Sequence, residues 1–498
     1  MTRHLLSLTA VFLICISLLS CSKQENNVIR FGMSNMPANL NPLYATDAAS
    51  SRIGRLLFQR LIDFDKAMKP IPGIADWVII SPRHYRFSLN DSVRPFHNKA
   101  PLTAQDVKAS YDFILNEANA SPHRASIKLI EKIETPDERT IDFFLNRTDP
   151  LFPGYLVMGI LPEKLIKSKH AFERKPIGSG PVKFIDWPED GKLIVERQSD
   201  NQKIEFLHVP NPTVRVLKLM RGEIDLVQND LPPELINFLT DEQKLNIIKT
   251  RGSNFAYLGF NLEDKELSNL EIRQAVSYGI NRDEIIQYVF GNSARKANSL
   301  LPPDHWAGNP ELKETVYSPE KAIQILTSLG YTKSKPLLLS YKTSSDPFRI
   351  RLATIMQSQL AEVGIKMDIR SYDWGTFYGD IKDGRFQLYS LAWIGIKTPD
   401  IFRYVFHSSA IPPNGANRGR FTDARMDKAI ESAESQTDLI SQATYYQQVQ
   451  KIALEELPYV PLWYENHVAI TRVGVDNYSL SWDGNYDGLL NIGKVTAQ

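Results

Sequence analysis

The run from Pro336 to Tyr372 constrains the fold more than any other part of this chain. "PLLLSY" reads as a short apolar strand, "DPFRIRLATIMQSQLAEVG" as a helix and "IKMDIRSY" as a second strand. That order makes a β-α-β unit, whose crossover helix implies parallel neighbouring strands. A chain of 498 residues exceeds the roughly 250–300 that one hydrophobic core organises, so two or more domains are expected.

The same alternation of periods recurs along the chain. "VIRFGMS" (28–34) reads as a strand. "RHYRFSLN" (83–90) alternates, with Tyr85, Phe87 and Leu89 on one face. "LTAQDVKASYDFILN" reads as a helix capped by Thr103 with Asp106 three residues on, and Val107, Tyr111, Ile114 and Leu115 form its apolar face. Further helices are expected after Asn281, after Ser318 (with Pro319 first and Gly330 at the end), over 423–436 and over 442–456, the last stopped by Pro458. The class is α/β with mixed sheets.

The N-terminus is of another kind. Arg3 and His4 precede an apolar run from Leu5 to Leu19, a signal-peptide pattern too short for a spanning helix. "LLSC" resembles a bacterial lipobox, which implies lipidation of Cys21 and removal of residues 1–20. Residues 21–27 would then be a polar tether. The only cysteines are Cys15 and Cys21, so the expected mature body has no disulfide, thiol nucleophile or Cys-based metal site.

Motifs for chemistry are missing. A formal net charge of +1 argues against a nucleic-acid partner. The nine histidines never take a His-Glu-x-x-His spacing, and "IGSGPVKF" has neither a P-loop lysine nor a nucleophile elbow, so it reads as a turn. His305, beside Trp306 in "LPPDHWAGNP", reads as a surface loop residue or a ligand contact. No enzyme, cofactor or metal is implied.

Several segments together resemble one family, the extracytoplasmic solute-binding proteins of ABC importers, in the peptide/nickel-binding branch (family 5). "IADWVIISPRHYRFSLNDSVRPFHNKAPLTAQDVKASYDFI" carries the most specific match. "NLNPLYATDAASSRIGRLLFQRLIDFD", "PIGSGPVKFIDW", "LMRGEIDLV", "YLGFNLE", "LEIRQAVSYGINRDEII" and "LPYVPLWY" follow the family in order. The resemblance implies a two-lobed periplasmic-binding-protein-like fold with hinge strands and an extra inserted subdomain. Lobe I would comprise 28–45, 176–252 and 471–498, the inserted subdomain 46–175, and lobe II 253–470. It further implies a lipid-anchored monomer on the periplasmic or cell-surface face, which captures a peptide-like solute and delivers it to membrane permease subunits.

The family's ligand wall implies Trp393 in "AWIGI" and Trp374 in "DWGTF" as candidate contacts, each with core as its competing reading. Peptide binders place an aspartate three residues after the first of these tryptophans, to pair with the ligand ammonium. Here that position is Ile396, followed by Lys397, which would repel an amine. Arg418 and Arg420 in "NGANRGRF" are either anion-facing or solvated. Asn35 and Met36 are the expected lobe I contacts, with Tyr111, Tyr257 and Tyr464 as further candidates. The missing acid keeps a second reading open: a receptor for a sugar, metal chelate, haem or anionic conjugate. A chaperone-like protein on the same fold is a third.

Overall fold

In the computed structural model of the chain, the described residues are 28–189, 191–240, 242 and 244–494. The signal-like segment, Cys21 and the tether lie outside them.

The β-α-β unit forms as its sequence dictates. Strands Leu337–Ser344 and Ile365–Tyr372 pair in parallel, with Leu337 opposite Ile365, and helix Pro347–Glu362 crosses between them. Pro347 opens that helix, where its missing N–H costs nothing, and the Asp346 side chain accepts from the Arg349 N–H. Helices Arg282–Tyr288 and Pro319–Ser328 begin on the expected caps Asn281 and Ser318. Helices Ala424–Glu434 and Leu439–Glu456 fill the two later helical segments.

Among the described residues the main sheet has 11 strands, and two long antiparallel strands, Leu245–Phe260 and Tyr459–Arg472, lie at its middle. On one side the sheet continues through Leu226–Gln228, Ile29–Met33, Lys203–His208, Lys192–Arg197 and Val182–Glu189. On the other it continues through Leu388–Trp393, Leu337–Ser344 and Ile365–Tyr372. Each half packs its own core on both faces. Phe31, Phe206 and Leu226 belong to one cluster of the first half, and Val216, Leu219 and Ile236 to another. Ile272, Met356 and Trp463, and separately Phe255, Phe402 and Tyr446, pack the second half. Separate cores on one shared pair of strands make two lobes.

The shared strands change register where the halves meet. Thr250 pairs with His467, but the next pair is Asn254 with Glu465, so residues 251–253 stand opposite Asn466 alone. A bulge of this kind bends and twists a strand. Gly252 makes it possible, because a Cβ there would lie 2.2 Å from the Glu465 carbonyl oxygen.

A four-stranded antiparallel sheet forms a further layer, in the order Ala75–Ser81, His84–Leu89, Thr140–Leu145, Ile130–Glu134. Tyr85, Phe87 and Leu89 all point inward. Helix Ala104–Leu115 covers this sheet, and the Thr103–Asp106 capping box closes with the Thr103 N–H donating to Asp106 Oδ2 at 2.8 Å. Tyr111 follows Val107 by four residues on the inner face and meets the Phe143 ring edge-on at 5.7 Å. It is therefore a core residue, not a ligand contact. "IGSGP" is a packing turn, with the Gly180 N–H donating to the Leu57 carbonyl at 2.8 Å.

Candidate ligand-binding cleft

Directly over the bulge lies a cavity of about 880 Å³, with one wall from each lobe and a floor from the hinge strands. Its size is that of a small-ligand site.

The first-lobe wall starts at the end of strand Ile29–Met33. Asn35 lines the cavity, and its amide donates to Ser34 Oγ at 3.2 Å, which in turn donates to Asp230 Oδ2 at 2.6 Å. Met36 packs against the first-lobe core and is not part of the cavity lining. Asn229 and Asp230 take φ of +57° and +54°, a left-handed conformation that Asn and Asp tolerate better than most residues. Buried Arg215 braces this kink, donating to the Val209 carbonyl at 2.5 Å and to the carbonyl of Asp230.

On the second-lobe wall, Trp374 lines the cavity and is 58% exposed. Asp373 caps the helix Trp374–Asp383, so the indole projects from its first turn and stacks on Tyr378 at 5.6 Å and 7°. Trp393 behaves differently. Its neighbours Leu391, Ala392 and Ile394 line the cavity, but its own ring packs on the aromatic core, with Tyr404 at 6.2 Å and the Arg418 guanidinium over it at 4.8 Å. Successive strand residues face opposite ways, so Ser390, Ala392 and Ile394 face the cavity while Trp393 takes the inner side with Leu391 packed beside it.

The arginine pair is neither solvated nor in the cavity lining. Arg418 is buried and donates to the Tyr257 hydroxyl at 3.0 Å and the Tyr378 hydroxyl at 3.2 Å. Arg420 donates to the Arg418 carbonyl at 2.7 Å and lies 3.5 Å from Glu263. Tyr257 and Tyr464 are core residues, and the Tyr464 hydroxyl lies 2.5 and 3.0 Å from the Ser299 and Leu301 carbonyl oxygens.

Lys397 is not part of the cavity lining. Its Nζ pairs with Asp483 at 2.9 Å and sits over the Phe64 and Trp482 rings at 5.3 and 5.6 Å. It thus joins the second lobe to the C-terminal segment of the first, while Ile396 packs on the second-lobe aromatic core. Burial works to raise the Asp483 pKa, but Lys397, Ser481 and the Asn485 N–H outweigh it and hold the acid at about 2. His305 is not a surface residue. It is buried, its Nε2 lies 3.0 Å from the Lys397 carbonyl, and its Nδ1 accepts from the Ala307 N–H. Burial lowers its pKa to about 4. The lobes also meet where Trp306 N–H donates to the Ala67 carbonyl at 3.0 Å and where Arg351 pairs with Glu234.

Several lining residues escaped the sequence reading: Asp230 and Asn229, and Glu465 and Asn466 on the floor. Each had a signal. "NDLPP" joins left-handed formers to a double proline. "YENHV" interrupts an otherwise apolar strand with three polar residues. Among the described residues no group of three or more potential metal ligands converges, and no helix is long and apolar enough to cross a membrane.

Two lobes, a bent two-strand hinge and a cavity between them define a bilobal solute receptor. Residues 69–412 match the model of the bacterial extracellular solute-binding proteins, family 5. The chain belongs to that family of solute-binding proteins. It is 26% identical over 495 residues to Di/tripeptide-binding protein 1 of Pseudomonas aeruginosa, covering 91% of each chain. It is equally 26% identical to Heme-binding protein A of Haemophilus influenzae over 483 residues, 88% of this chain and 87% of that one. The solved structure of the periplasmic binding protein DppA from Helicobacter pylori, in complex with the peptide STSA, superposes with a TM-score of 0.76 at 25% identity, covering 94% of this chain and 98% of that one.

Proposed function

We propose that this protein captures a peptide-like solute between its lobes and passes it to the permease of its importer, without transforming it. The cavity over the register shift carries the proposal, because a ligand there touches both lobes and favours the closed form over the open one. Asn35 and Trp374 are the contacts retained from the sequence. An exposed indole offers broad apolar contact at low entropic cost, which suits varied side chains. Lobe I comprises 28–45, 176–252 and 471–498, the inserted subdomain 46–175, and lobe II 253–470. The separate cores and the hinge bulge support the change of lobe near 252–253, while residues 46–175 share the lobe I core and Val468, Ala469 and Ile470 pack with lobe I, which moves the second crossing to the bulge at Asn466. The receptor is a monomer on the periplasmic or cell-surface face, held to a membrane by lipidated Cys21. Replacing Cys21 with Ser should move it into the soluble fraction, and unchanged fractionation would sink the anchor.

The test of the ligand class is native mass spectrometry of the purified chain, with extraction of whatever co-purifies. A peptide, or binding of a defined peptide series, supports the reading. A second reading, a non-peptide solute such as haem, is favoured by Ile396 standing where the family's peptide binders carry an acid and by the haem-binding relative. Retention of haem with no peptide binding would establish it instead.

A further inference from the structure

Among the described residues four carboxylates line the cleft: Asp47, Asp230, Asp346 and Glu465. Three of them are engaged by protein donors. Asp47 caps helix Ala48–Leu57 through the Ser50 N–H at 2.8 Å. Asp230 takes the Ser34 hydroxyl at 2.6 Å, and Asp346 takes the Arg349 N–H at 2.9 Å. Glu465 differs. Its Oε1 is shielded from solvent and has no hydrogen-bond partner. The nearest cation is Arg349 Nη1 at 3.8 Å, beyond hydrogen-bonding distance. The next residue repeats the pattern, because Asn466 Oδ1 is also buried and unbonded. The backbone there is fixed, with Asn466 N–H donating to the Ser293 carbonyl at 3.0 Å and Glu465 paired with both Asn254 and Ala294.

A buried acceptor without a donor is costly, and a carboxylate more so than an amide. Consecutive residues of the cavity floor thus each carry an unbonded acceptor, which favours a ligand group that donates several hydrogen bonds and carries positive charge. We propose that Glu465, assisted by Asn466 Oδ1, is the ammonium clamp of this receptor, so that the ligand's amino terminus is held at the hinge and not at the end of strand Leu388–Trp393. This rests on the peptide reading above. Arg349, 38% exposed, is the loosely held counter-charge that an incoming ammonium displaces. Freed from Glu465, its guanidinium is available to a carboxylate on the same ligand. The hinge position also gives the clamp a mechanical role, because the residue pairs on either side of the bulge belong to different lobes.

The test measures binding of the alanine series from dipeptide to pentapeptide, and of the N-acetylated forms, by native mass spectrometry and calorimetry. The tightest-binding peptide should bind the unmodified receptor about tenfold or more tightly than its N-acetyl form. In Glu465→Gln that preference should collapse, with affinity for the free amine falling by about tenfold or more. Thermal unfolding should be little changed. Should Glu465→Gln fail to fold, Asn466→Ala provides the same comparison with a smaller loss expected. A receptor that binds free peptides with Glu465→Gln unaffected would overturn the clamp and leave the peptide reading intact. A receptor that binds no member of either series would overturn both. Equal binding of free and acetylated forms by the unmodified receptor would overturn the clamp alone.

Discussion

Replacing Asp483 with Asn tests the ion pair that joins the lobes. The carboxylate is 6% exposed and lies 2.9 Å from Lys397. Its pKa falls from an ordinary 3.8 to about 2. At about 1.36 kcal/mol per pKa unit, this shift corresponds to about 2 kcal/mol of folding stability. The sign follows from proton binding. Between the two pKa values the unfolded chain takes up the proton first, so the contribution is complete above about pH 3.8 and is lost as the pH falls through 2. Asp483→Asn should therefore lower the unfolding free energy by about 2 kcal/mol at pH 7, in urea titrations followed by tryptophan fluorescence. Part of the loss comes from leaving the Lys397 ammonium between Phe64 and Trp482 without a counter-ion. The difference between variant and parent should shrink steadily below pH 4. Equal stabilities at pH 7, or a difference independent of pH down to 2, would refute the reasoning.

His305, with its pKa lowered by burial to about 4, binds its proton more readily in the unfolded chain. Stability should be full above about pH 6.5 and fall towards pH 4, by up to about 3 kcal/mol for this group. His305→Gln should flatten that part of the pH–stability curve. Trp374→Ala should weaken ligand binding by about 1 kcal/mol or more in calorimetry while the melting temperature hardly moves, since the indole is already exposed. Trp393→Ala should do the reverse. Removing a ring packed on Tyr404 and beneath Arg418 should cost about 2–3 kcal/mol of stability, seen as a fall in melting temperature.

Local elements were legible because their causes are local. The Thr103 capping box, the Asn281 and Ser318 caps and the β-α-β unit are set by residues within a turn or a strand of each other. The family motifs added the two-lobed architecture and the place of the cleft. Side-chain direction was much less accessible. Tyr111, Tyr257 and Tyr464 look alike in sequence whether they face a ligand or a core, and all three face cores. Trp374 and Trp393 both matched family positions, yet a helix start turns one into the cavity and a strand pleat turns the other away.

The sequence by itself determined the α/β class, the division into more than one domain and the periodic faces, and, set beside the family motifs, the place of Ile396 where an acid is usual. Only the tertiary structure decided what that substitution means. Lys397 repels nothing, because Asp483 lies 86 residues away in sequence and 2.9 Å away in space. An acid with one buried oxygen that accepts no hydrogen bond lies on the hinge floor, in a strand remote from the one that lacks an acid. Whether a charge is free or satisfied depends on groups that long-range pairing brings together, and no spacing within one segment encodes that pairing.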